Sequence, residues 1–280
     1  MKIFTTLIDC HSLHEALDRP DWVIFDAHYN LSDKTAGRRA YNAAHIPGAV
    51  YVDLETDLSA PVGPSTGRHP LPGPAIMQAL FSRLGAGPDV QVVVYDDASG
   101  GIAARLWWML RYMGHDSVAV LDGGWQEWNR LGLIMENVKR QGRPATFQGK
   151  PRESWQIRAA TVPAVARLID SREPARYRGE TEPIDPVAGH IPGAVNYCWK
   201  RNLDESGRFR PAAAIRQDML ELLAGTPPEE AAFYCGSGVT ACQNILAAAY
   251  AGLPLPLLYA GSWSEWCRMP GQPVATGGQA

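Results

Sequence analysis

Nine residues in the second half of the chain carry its densest chemistry: Tyr234-Cys235-Gly236-Ser237-Gly238-Val239-Thr240-Ala241-Cys242. They join an apolar run that reads as a strand to another that reads as a helix. Gly236 and Gly238 let the backbone curl so that successive N–H groups turn inward, and the following helix adds its positive N-terminal end. Cys235 sits at the mouth of this cradle, where it can serve as a nucleophilic thiolate. Gly236, Gly238, Val239 and Thr240 can hold a charged group attached to its sulfur. Taken alone, a cysteine on a strand-to-helix turn is more often simple packing. A phosphatase would need an arginine six residues beyond the cysteine, and that place holds Ala241.

The chain contains the same architecture twice. Residues 43–50 read A-A-H-I-P-G-A-V and residues 188–195 read A-G-H-I-P-G-A-V. Val94-Tyr95-Asp96 answers Phe233-Tyr234-Cys235, and Gly124-Trp125-Gln126-Glu127-Trp128 answers Ser262-Trp263-Ser264-Glu265-Trp266. Three matches in one order at nearly one offset mean two tandem domains, taken as residues 1–137 and 154–280 with a linker over 138–153. The first copy has Asp96 where the second has Cys235, followed by Asp97. A structural cysteine would be poorly replaced by an aspartate, so Cys235 reads as functional and the first copy as catalytically inactive. Two acids at that place would repel a thiolate or any bound anion.

The elements that position these residues alternate between strand and helix. In the first copy Trp22–Phe25, Val90–Tyr95 and Ser117–Leu121 read as buried strands. Ile76–Leu84, Ile102–Met113 and Trp125–Leu131 carry helical patterns. In the second copy the strands are Leu168-Ile169, Ala231–Tyr234 and Leu257–Tyr259, and the helices Ile215–Leu223, Val239–Ala251 and Trp263–Arg268. This alternation predicts an α/β fold: in each copy a largely parallel sheet flanked by helices, with ligands at the carboxyl ends of the strands. The Pro- and Gly-rich stretch Ser59–Gly73 reads as a long ordered loop of the first domain.

Composition narrows the class. The 280 residues are 46% hydrophobic and 20% charged with a net charge of −3, a globular balance without the basic excess of a nucleic-acid binder. No apolar run is long enough for a membrane helix, and Asp9 interrupts the N-terminal apolar stretch. Five scattered cysteines without a signal-peptide core read as reduced thiols of a cytoplasmic protein. No metal or other cofactor, nucleic acid or membrane partner is expected.

The C-G-S-G-V-T-A-C loop, the doubled H-I-P-G-A and the late G-S-W-S-E-W resemble the two-domain rhodanese family of sulfurtransferases over nearly the whole chain. The resemblance implies two tandem rhodanese-like domains, the second using its loop cysteine to carry sulfur as a persulfide. The C-G-S-G-V-T form is similar to the 3-mercaptopyruvate type, because thiosulfate-type members often carry basic residues where this chain has Gly236 and Ser237. The expected donor is thus a small anion, 3-mercaptopyruvate or alternatively thiosulfate, and the acceptor a thiol or cyanide. By the same resemblance, Arg176 binds the donor's anionic end, while His69 and Glu55 lie near Ser237, with Ser237 and His69 joining Cys235 in catalysis. Those relatives often have a second donor-binding arginine before H-I-P-G, where this chain reads Glu182-Pro183-Ile184-Asp185-Pro186; Arg178 or Arg201 would be the substitute. With Glu55 and His69 in the first half and Cys235 and Arg176 in the second, the site is expected to draw on both. A noncatalytic rhodanese-like interaction module with Cys235 as a regulatory thiol is the remaining alternative.

Other conspicuous residues read as structural. His45 and His190 recur in both copies, including the one without the cysteine, which fits a turn role. The paired tryptophans lie three apart on short helices and should pack in cores. Cys242 falls about two helical turns beyond Cys235 and reads as core rather than as a resolving thiol. Asp170 and its counterpart Asp26 should brace the loops from neighbouring strand ends.

Overall fold

The computed structural model describes residues 3–278 and divides them into two compact units. Among the described residues the first comprises 3–60, 72–152 and 205–208; the second comprises 61–71, 153–204 and 209–278.

In the first unit, β1 (Leu7–Ile8), β2 (Trp22–Asp26), β3 (Val50–Tyr51), β4 (Gln91–Tyr95) and β5 (Val118–Leu121) form one sheet in the order β1-β5-β4-β2-β3. Every pairing is parallel. Between them lie α1 (Cys10–His14), α2 (Ala36–Ala43), α3 (Pro74–Leu84) and α4 (Ala103–Tyr112), with α5 (Gly124–Arg130) after β5. All five residues of β4 are buried, as its run Val92-Val93-Val94 requires in the middle of a sheet covered on both faces. In α4, Trp107 and Trp108 are both fully buried, and that helix is buried nearly all round.

The second unit repeats the plan with β6 (Gln156–Ile157), β7 (Arg167–Asp170), β8 (Val195–Asn196), β9 (Ala231–Tyr234) and β10 (Leu257–Tyr259), again all parallel, in the order β6-β10-β9-β7-β8. Its helices are α6 (Pro174–Tyr177), α7 (Ala212–Leu223), α8 (Ala241–Tyr250) and α9 (Ser262–Trp266). Trp263 and Trp266 of α9 enter a core cluster with Tyr177, Ile191, Tyr234 and Tyr259. Trp128 fills the matching core of the first unit, with Trp125 packed against it.

The H-I-P-G turns are structural in both units. His45 Nδ1 meets the Tyr41 carbonyl at 2.7 Å and its ring stacks on Tyr41; His190 makes the same contact with Tyr177. Two sequence readings change. The 138–153 stretch has almost no regular structure, yet it packs on the first unit: Phe147 is buried, edge-on to Phe81. Residues 61–71, expected as part of a first-domain loop, belong to the second unit.

Candidate active site

Cys235 directly follows β9, the central strand of the second sheet, and is buried. The loop it opens is clamped from the side by the start of α9. The Cys235 N–H donates to Ser262 Oγ (3.1 Å), while the Cys235 and Gly236 carbonyls accept from the N–H groups of Trp263 (3.0 Å) and Ser264 (2.9 Å). Gly238 adopts φ +72°, and a Cβ there would lie 2.3 Å from the Ala260 carbonyl oxygen, so both backbone conformation and space demand glycine. Val239 and Thr240 then lead into α8. Cys242, on its first turn, is fully buried with Sγ 3.3 Å from the Gly238 carbonyl, where it stiffens the loop.

The equivalent loop of the first unit reveals what this turn is built to hold. Asp96 follows β4, and its carboxylate accepts four backbone hydrogen bonds: from the N–H groups of Ala98 and Gly100 on Oδ1, and of Ile102 and Ala103 on Oδ2 (2.7–2.9 Å). The sequence expectation that acids here would repel an anion is therefore corrected: Asp96 is itself the anion, tethered inside the cradle. The second copy has Cys235 at the place of this built-in carboxylate.

The segment 61–71 brings further side chains to this loop. His69, buried, shares a 2.7 Å hydrogen bond between its Nδ1 and Ser237 Oγ. Arg68, its neighbour, is fixed at the backbone by a 2.9 Å bond from its N–H to Ser264 Oγ, and its guanidinium donates to Asp185. A Cβ placed on Gly236 would stand 3.0 Å from Arg68 Nη2 and 3.6 Å from both Nη atoms of Arg176. Two arginine guanidinium groups thus occupy the space beside Gly236. The positive charge that the loop's own side chains lack arrives from two other parts of the chain.

Arg176, on the last turn of α6, pairs with Glu182 (2.7 Å) and Asp185 (3.4 Å). Burial works against the Glu182 carboxylate, but hydrogen bonds from Arg176 and from the Asp185 and Ile184 N–H groups hold it below the usual range. Burial outweighs the surrounding arginines at Asp185 and lifts its carboxyl above the usual range. Deeper still, Arg172 bonds Asp170 (2.6 Å), donates to the Gly189 carbonyl and lies over the Trp263 ring. In the first unit His28 stands in the same relation to Asp26 at 2.6 Å, so both aspartates brace strand ends.

Of the residues expected at the site, the second unit gathers Cys235, Gly236, Ser237, Gly238, Val239, Thr240, Arg176 and His69 around one loop. Glu55 belongs to the first unit, where it accepts from Tyr29 (2.5 Å) and Lys34 (2.8 Å). Arg178 pairs with Glu180, and Arg201 lies over the Tyr197 ring. Arg68 was not anticipated; its only signal in the sequence is adjacency to His69. Three other thiols are poor nucleophiles: burial pushes Cys10 up to about 12 and Cys198 up to about 11, and raises Cys267.

The chain matches the rhodanese-like domain family twice, over residues 9–131 and 154–269. A protein of Pseudomonas aeruginosa named probable 3-mercaptopyruvate sulfurtransferase is 49% identical over 279 residues, covering 97% of this chain and 98% of that one. The thiosulfate sulfurtransferase of the same organism is 34% identical over 283 residues, covering 98% and 99%. Among solved structures, the 3-mercaptopyruvate sulfurtransferase from Leishmania major superposes with a TM-score of 0.84 at 31% identity, over 96% of this chain and 76% of that one.

Proposed function

The chain belongs to the rhodanese family and is a sulfurtransferase, and on that premise we propose that it takes sulfur from 3-mercaptopyruvate through a persulfide on Cys235. The observation that carries the choice of donor is the hydrogen bond between Ser237 and buried His69, two residues from the nucleophile. 3-Mercaptopyruvate brings a thiol whose proton must be moved, whereas thiosulfate brings none, and a Ser–His pair can move one.

The Cys235 thiolate attacks the donor's sulfur. An S–S bond forms, the C–S bond breaks, and its electron pair passes to carbon 3 as the enolate of pyruvate. The donor's thiol proton passes through Ser237 and His69 to that carbon, releasing pyruvate and leaving an anionic persulfide. The cradle formed by Gly236, Gly238, Val239 and Thr240 takes that negative charge, as the first unit's cradle takes the Asp96 carboxylate. A thiolate or cyanide then attacks the outer sulfur and returns Cys235 as thiolate. Arg176 is assigned to the donor's carboxylate. Five unbridged thiols suit a reducing compartment, so the cytoplasm is the proposed place of work.

Thiosulfate is the second reading, favoured by the two guanidinium groups beside Gly236, which suit a dianion. Brief exposure to each donor, followed by intact-protein mass and peptide mapping, tests both. The expected result is one added sulfur on Cys235 from 3-mercaptopyruvate at the higher kcat/KM, and none in Cys235→Ser. Sulfur on another cysteine would remove Cys235 from its role; faster loading from thiosulfate would make that the donor.

A further inference from the structure

We propose that Arg68 is a donor-binding residue of this sulfurtransferase, gripping the carboxylate of the sulfur donor alongside Arg176. The inference rests on the reaction proposed above but adds a residue and a contact to it.

Its ground is the way Arg68 is held. The backbone N–H is fixed by Ser264 and one Nη by Asp185, so the guanidinium has a set orientation. Its second Nη lies beside Gly236, the residue after the nucleophile. Its Nε is buried with no hydrogen-bond partner among the described residues. A buried donor left unpaired costs stability, and a planar guanidinium with a free N–H edge matches the two oxygens of a carboxylate.

Charge counting points the same way. Arg68, Arg172, Arg176 and Arg268 are linked by ion pairs to Asp170, Glu182 and Asp185. Four cations meet three anions, and the surplus positive charge stands next to the reactive loop. Arg176 spends its Nε and Nη2 on Glu182 and Asp185, and Arg68 adds an Nε that meets no partner among the described residues. An anion small enough to reach Cys235 while touching Arg68 completes the set.

The test uses the full chain with Arg68→Gln and Arg68→Lys, and Arg39→Gln as a control at an exposed ion pair. Alkylation of Cys235, followed by peptide mass, is compared for iodoacetate and neutral iodoacetamide. Arg68→Gln is expected to lower the iodoacetate-to-iodoacetamide rate ratio about tenfold and to raise the KM for 3-mercaptopyruvate about tenfold or more, with kcat changed much less. Pyruvate should protect Cys235 of the wild type from alkylation and fail to protect the variant. Arg68→Lys keeps the charge but not the fork, and should raise KM about threefold or more while largely restoring the alkylation ratio.

An unchanged ratio and KM in Arg68→Gln would overturn the proposal while leaving the enzyme a mercaptopyruvate sulfurtransferase. If Arg68→Gln does not fold, an unchanged KM in Arg68→Lys overturns it. A wild type that accepts only thiosulfate defeats the donor assignment instead, and the alkylation ratio still reports whether Arg68 attracts an anion.

Discussion

The positions that matter most differ in how far their own neighbourhood announces them. Cys235 and the two loop glycines stand in one short run, and the aspartate at the matching place of the first copy marks the cysteine as functional. His69 could be brought to Ser237 only by family resemblance, since 168 residues separate them. Arg68 could not be read at all, because its importance depends on where its segment packs. Gly236 was legible as a turn glycine and as a missing charge; the structure adds that two arginine guanidinium groups lie beside it. The Ser237–His69 contact makes a prediction specific to the donor. His69→Gln should lower kcat/KM for 3-mercaptopyruvate about a hundredfold, the scale of a lost proton relay, and leave thiosulfate turnover within about threefold. Steady-state kinetics with both donors checks this; equal losses would make His69 a prop for the loop.

Among the elements, the central strands and the helices after them were readable from apolar runs, because both faces of each sheet are covered. The edge strands β1, β3, β6 and β8 have two residues each, too few to show any period, and are defined only by the partner strand beside them. The strand-to-helix turn is the element that the two copies use differently. In the first, one carboxylate satisfies four N–H groups, so Asp96→Ala should destabilise that unit by about 2–4 kcal/mol. Asp96→Asn, which keeps one acceptor oxygen, should cost less. Urea denaturation followed through the first unit's tryptophans measures both, and a loss under about 0.5 kcal/mol for the alanine would deny the cradle its anion-binding character. The acid-side behaviour of the second unit has a defined sign. Glu182 is held below its usual range in the fold, so its contribution is complete above that range and fades as pH falls through the lowered value. Glu182→Gln should flatten that part of the stability–pH curve.

For the molecule as a whole, the duplication was legible from three matched motifs, but the exchange of segments between the halves was not. Residues 61–71, from the first half of the sequence, belong to the second unit; residues 205–208, from the second half, belong to the first, where Arg208 reaches Asp122 (3.6 Å) and Glu127 (3.8 Å). Long-range exchanges leave no periodic trace, and the Pro- and Gly-rich composition of 59–73 said only that it was a loop. A fragment of residues 154–280 therefore lacks Arg68 and His69, and its turnover with 3-mercaptopyruvate should fall at least a hundredfold even where circular dichroism shows it folded. Full activity in that fragment would remove both residues from the reaction.

The order of those segments along the chain also bears on how the protein is born. A ribosome makes residues 61–71 before it makes Cys235, by roughly 10–30 s at ordinary elongation rates. The piece that carries His69 and Arg68 to the loop is thus already waiting outside the ribosome when the sulfur emerges. A circular permutant that began at residue 154 would reverse the schedule, leaving a nascent cysteine loop without His69 and Arg68 until well after the sulfur had emerged.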